Sequence, residues 1–134
     1  MTTRADESVR GKSRQMGCGR HPRYHVKVMD REALIARLSG CYVTLPTLFR
    51  DADLELNLPG MQEHARFLLE NGLNDQNAVF LVGGAAGDFS TLTYEERLKI
   101  TENAVEAVEG RIAVVMGAQT TSTRELVKLA KGAE

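Results

Sequence analysis

The chain is an α/β protein built on a βαβαβα succession. Three apolar runs of strand length carry this reading, CYVTL at 41–45, AVFLV at 78–82 and IAVVM at 112–116. Each is followed by a loop of small or polar residues and then by a segment whose apolar residues recur at helical spacing. Strands separated by whole helices pair in parallel through right-handed crossovers, in an open doubly wound sheet or in a barrel.

The first run is rich in β-formers and is stopped by Pro46. A polar loop follows, and a helix opens near Asn57 and Pro59, since proline suits a first helical turn. Leu58, Met61, Ala65, Leu68 and Leu69 fall on one face of it, with Gly72 placed to end it in the left-handed conformation. His64 and Arg66 point away from that stripe and are expected in solvent.

The second run is continuously apolar, the pattern of a parallel strand covered on both faces. Gly83, Gly84 and Gly87 surround Ala85 and Ala86 in the loop after it, where the backbone can turn sharply and approach a small ligand. Thr93 and Glu96 form a T-x-x-E capping box for the second helix, whose expected buried stripe is Tyr94, Leu98, Thr101, Val105 and Val108. The third run leads into Gly117-Ala118-Gln119-Thr120-Thr121, with Ser122 and Glu125 as a second capping box and Gly132 as the stop signal of the last helix.

Two nucleotide readings fail. A dinucleotide-binding sheet needs G-x-G-x-x-G at its first turn and a P-loop needs G-K-[ST], whereas the first strand is preceded by a lone Gly40 and Gly87 is followed by Asp88 and Phe89. LPTLF (45–49), VGGAAGDFSTLTYEER (82–97) and GRIAVVMGAQTTSTREL (110–126) instead resemble the dihydrodipicolinate synthase and N-acetylneuraminate lyase family. That family's pattern has T-P-F after strand one, G-T-T-G-E after strand two and G-x-x-x-x-[ST]-T-x-E after strand three. The counterparts here are Thr47-Leu48-Phe49, Gly84-Ala85-Ala86-Gly87-Asp88 and the run from Gly117 to Glu125, in the same order and spacing.

The resemblance implies the first three βα units of a (β/α)8 TIM barrel and a lyase or aldolase that handles pyruvate or a keto sugar acid through a lysine Schiff base. Such a barrel takes about 250 residues, so the part present is expected to be incomplete, with the Schiff-base lysine and an assisting tyrosine on later strands. Lys12, Lys27, Lys99, Lys128 and Lys131 are expected on solvated surfaces, unlike a nucleophile at a strand end. The family's paired threonines, one in a proton relay and one on the substrate carboxylate, are replaced by Ala85 and Ala86. The expected substrate contacts are therefore the amides of Ala85, Ala86 and Gly87, because successive N–H groups in a tight turn make an anion-binding concavity. Gly84, Asp88 and Thr47 are expected to structure the loop, Asp88 by accepting hydrogen bonds from loop amides. Phe89 leans toward the sugar-acid dehydratase branch, with its G-G-T-G-E-F loop.

Charge divides the chain. Residues 1–28 hold seven Lys or Arg against two acidic residues, and residues 29–134 hold ten against sixteen. The first segment is expected to be a disordered basic extension, with Met29 the natural start, and the second a partial barrel domain. Cys18, His21 and His25 have a spacing that suggests metal, but a structural zinc site takes four ligands, so no metal and no cofactor are expected. Two cysteines, no export signal and no bilayer-length apolar run point to a reduced cytoplasmic protein without nucleic-acid or membrane partners. A homo-oligomer, or association through open sheet edges, is expected. Two alternatives to the lyase portion stand: a non-catalytic partial-barrel relic held by those edges, and a small binding module for an acidic metabolite at residues 84–87.

Overall fold

A computed structural model describes residues 30–133. A short helix α1 (Arg31–Arg37) precedes strand β1 (Cys41–Thr44), helix α2 (Leu58–Glu70), strand β2 (Ala78–Val82), helix α3 (Tyr94–Val108), strand β3 (Ala113–Met116) and helix α4 (Thr123–Gly132). The strands form one parallel sheet in the order β1-β2-β3. The expected βαβαβα succession is thus present, with strand ends differing by one residue. Leu45 falls outside β1 although its N–H still donates to the Leu81 carbonyl at 2.9 Å, and β3 starts one residue after Ile112.

Side chains alternate across the sheet. Val43, Ala78, Phe80, Val82 and Val114 belong to or pack against the core under α2 and α3. The opposite face carries the registered rows Tyr42, Val79, Ala113 and Thr44, Leu81, Val115. Val79 is fully buried there, whereas Tyr42 is 52% exposed. Among the described residues, β1 and β3 each keep one unpaired edge.

Helix α2 follows its sequence pattern closely. Asn57 caps it by accepting the Gly60 N–H at 3.1 Å, and Met61 and Ala65 are buried while Leu58, Leu68 and Leu69 pack on the core. Its end is a Schellman turn: Gly72 N–H donates to Leu69 O and Leu73 N–H to Leu68 O, with Gly72 at φ 106°. Arg66 is exposed as expected. His64 is half-buried, and so less solvated than its place off the apolar stripe suggests.

Helix α3 corrects the expected stripe. The buried face is Arg97, Ile100, Asn103, Ala104, Ala107 and Val108, so of the expected residues only Val108 is in it. Tyr94, Leu98 and Thr101 are half-buried on the flank, and Val105 is exposed. Close packing against the sheet favours Ala104 and Ala107, while Asn103 is accommodated because it accepts from Gln62 Nε2 at 2.9 Å and donates to the Leu58 carbonyl at 3.2 Å.

The first capping box is complete, with Thr93 and Glu96 bonding reciprocally. The second is half made. Ser122 Oγ accepts from Glu125 N–H, but the Glu125 carboxylate accepts from the Thr120 hydroxyl at 2.7 Å rather than from the Ser122 backbone. Two features were not among the expectations: α1, which Asp30 caps, and a turn after β1 closed by the Phe49–Leu56 bridge and an Arg50–Asp53 ion pair at 2.7 Å.

The expected disorder of residues 1–28, the Cys18, His21 and His25 spacing, and Lys12 and Lys27 lie outside the described residues. Among those described, no group of three His, Cys, Asp or Glu comes together to hold a metal, and no helix is long and apolar enough to cross a membrane.

Candidate functional site

The loops that follow the three strands meet at the carboxyl end of the sheet, where parallel α/β folds place ligands. The loop after β2 begins at Gly83, in a left-handed conformation at φ 59°, and turns through two short 3-10 helices, Ala85–Gly87 and Phe89–Thr91. Gly87 N–H donates to the Gly84 carbonyl at 2.9 Å and closes the first turn. The Gly87 amide is therefore engaged within the turn. Ala85 and Ala86 come first in the turn, so their amides have no partner within it. Both residues are exposed, while Gly84 and Gly87 are buried.

Thr47 reaches this loop from the end of β1. Its buried hydroxyl donates to the Gly87 carbonyl at 2.7 Å, a contact across forty positions of sequence. Asp88 holds the loop through its backbone. Its φ of 55° is one that aspartate tolerates, and its carbonyl accepts both the N–H and the hydroxyl of Thr91, at 3.0 and 2.9 Å. Its carboxylate is not the acceptor expected from sequence. The side chain is exposed and makes no hydrogen bond among the described residues.

Lys99, Lys128 and Lys131 lie exposed on α3 and α4, and none stands at a strand end. The Lys128 ammonium sits 3.7 Å from the centre of the Tyr94 ring, a cation–π contact between the two helices. Thr120 and Ser122 serve the start of α4 as described, and Thr121 and Thr123 are exposed.

Arg97 was missed by sequence reasoning. It projects from the first turns of α3, is 5% exposed, and donates through Nη1 to the Gln119 carbonyl at 3.0 Å and through Nη2 to the Gly117 carbonyl. Its guanidinium carbon lies 5.6 Å from the centre of the Phe89 ring. Burial pulls its pKa below the ordinary value, and the Glu125 carboxylate opposes that shift. Counting back from Ile100 and Ala104 by helical steps places Arg97 on the buried face, which is the sequence signal that could have found it. Gly117 has no room for a side chain: a Cβ there would run into the Gly83 carbonyl.

Residues 37–134 match the Dihydrodipicolinate synthetase family. The 4-hydroxy-tetrahydrodipicolinate synthase of Methanocaldococcus jannaschii is 35% identical over 95 residues, 71% of this chain and 31% of that protein. Among solved structures, a prophage protein of the dihydrodipicolinic acid synthase family from E. coli K12, in complex with pyruvate, matches with TM-score 0.63 and 30% identity over 71% of this chain and 30% of its own. The N-acetylneuraminate lyase of Proteus mirabilis matches with TM-score 0.64 and 28% identity over 72% and 31%. The chain thus spans about a third of the length of these relatives. Its parallel three-stranded sheet is the opening portion of their TIM barrel. By both its motifs and its backbone, this chain belongs to the dihydrodipicolinate synthetase family.

Proposed function

We propose that the chain supplies the carboxylate-binding loop and the first part of the barrel wall of a lyase or aldolase that acts on pyruvate or a keto sugar acid through a lysine Schiff base. The observation that carries this reading is the turn at Ala85 and Ala86. The amides of two exposed residues, without partners in the turn, stand past the carboxyl end of β2, and the turn behind them is pinned by Thr47 and Gly84. Successive backbone N–H groups suit a carboxylate. The pyruvate held by the E. coli family member is the kind of ligand they would take.

The alanines supply no hydroxyl, so a proton relay has to use a group other than residues 85 and 86. The exposed helical positions of Lys99, Lys128 and Lys131 support placing the nucleophile on a later βα unit of a complete barrel. The proposed domain division is a separate extension over 1–28 and a barrel portion over 29–134, supported by the family match from residue 37 onward. Cys41, a free and exposed thiol, suits a reducing cytoplasm.

Borohydride reduction in the presence of pyruvate tests the lysine argument. The 134-residue chain is expected to gain no mass. A reduced adduct mapped to Lys99, Lys128 or Lys131 would overturn the placement of the nucleophile outside them.

The open edges of β1 and β3 favour a second reading, a non-catalytic partial barrel that pairs those edges with another copy or a longer relative. It predicts an oligomer or aggregate with weakly protected β1 amides, and a well-protected monomer would exclude it.

A further inference from the structure

We infer that Arg97 is a positioning residue that holds the glycine-rich loop at both of its ends. At the start of the loop, Nη2 binds the Gly117 carbonyl, and the Gly117 N–H in turn donates to the Val82 carbonyl at 2.8 Å, one residue before Gly83. At the far end, the guanidinium lies over Phe89, the residue after Asp88. Nη1 also fixes Gln119, so a single planar group spans the loops after β2 and β3.

Two observations make the tie specific to a guanidinium, and a third shows what it costs. The partners are two carbonyls separated by one residue, which a fork of parallel donors can bridge and a single ammonium cannot bridge in the same way. The ring of Phe89 favours a flat, weakly hydrated cation. Nε is buried without a partner, an unfavourable placement that the other contacts must outweigh. The location is not one that helix electrostatics favours, because a cation near a helix N-terminus opposes the macrodipole. Glu95 and Glu96 in the first turn of α3 and Glu125 in that of α4 reduce this repulsion.

The role of the loop as a carboxylate cradle belongs to the preceding proposal, and the tie is testable without substrate. Residue-resolved amide exchange on the 134-residue chain would compare Gly87 and Gly117 with the sheet amides at 79–81. In Arg97→Ala the Gly87 and Gly117 amides are expected to exchange about ten-fold faster relative to the sheet. Methylguanidinium should restore them, and urea at the same concentration should not. Arg97→Lys, which keeps the charge and the stem, guards against a variant that fails to fold, and it is expected to loosen the same two amides by a smaller factor. The inference is overturned if the loop-to-sheet ratio in Arg97→Lys equals that of the wild type, or if sheet and loop amides accelerate together.

Discussion

At the scale of single residues, the site depends on side chains that donate to backbone carbonyls. Arg97 is the clearest case. Replacing it by methionine keeps much of the apolar stem but leaves the Gly117 and Gln119 carbonyls without their donor. The buried Gly117 acceptor, once orphaned, costs about 1–3 kcal/mol, whereas Gln119 is exposed and its carbonyl can bond to water, so Arg97→Met should lower unfolding free energy by about 1–3 kcal/mol in urea titration. Thr47→Val removes the donor to Gly87 while conserving shape, and should cost about 1 kcal/mol. These residues differ in how legible they are. Thr47 could be singled out because it begins a recognisable step after the first strand. Arg97 is harder to single out, because charge normally marks an exposed helix position, and only its helical register with Ile100 and Ala104 places it on the buried face where two carbonyls approach. Asp88 shows the opposite error: its side chain drew attention, and its backbone does the structuring.

At the scale of elements, caps and turns were readable where their chemistry is local. The Thr93–Glu96 box and the Asn57 cap each depend on atoms within a few residues. The second box failed as read because Thr120, outside the motif, captured the Glu125 carboxylate. Glu96 should also leave a pH signature. Hydrogen bonds from the Thr93 backbone and hydroxyl hold its carboxyl below the ordinary carboxylate value. Its contribution to stability is therefore present above the unfolded-state pKa and is lost as pH falls through the lower folded-state value. The thermal midpoint of Glu96→Gln, measured against pH, should fall less steeply across that acidic window than that of the wild type.

Two glycines separate backbone strain from steric conflict. At Gly72 a side chain would meet open space but would have to adopt φ 106°, so Gly72→Ala should cost about 1 kcal/mol or somewhat more. At Gly117 the obstacle is the Gly83 backbone, which cannot move without disturbing the loop, so Gly117→Ala should be the more damaging of the two in the same denaturation assay. The α3 stripe has the same physical lesson. Hydrophobic bulk predicts a buried face only when the neighbour leaves room, and Ala104 and Ala107 face the tightly packed interior while Val105 is 40% exposed.

At the scale of the whole molecule, succession and parallel order followed from apolar runs and helical lengths, which are strong periodic signals. The choice between open sheet and barrel came from the three loop motifs, since three parallel strands look alike locally in either architecture. The sheet also has a consequence for behaviour. The row Thr44, Leu81, Val115 is half-buried on the face away from the helices, and both outer edges are unpaired among the described residues. Exposed apolar sheet surface and free edges promote association, so sedimentation of the isolated chain should show species larger than a monomer that increase with concentration.

The proposed function rests on a carboxylate-binding turn at Ala85 and Ala86. It is tested most directly by following the backbone amide resonances while the chain is titrated with pyruvate and, separately, with acetone, which has the ketone but no carboxylate. Saturable shifts centred on the Ala85 and Ala86 amides are expected with pyruvate, and none there with acetone. Unmoved resonances at both residues, or the same shifts with acetone, would contradict it.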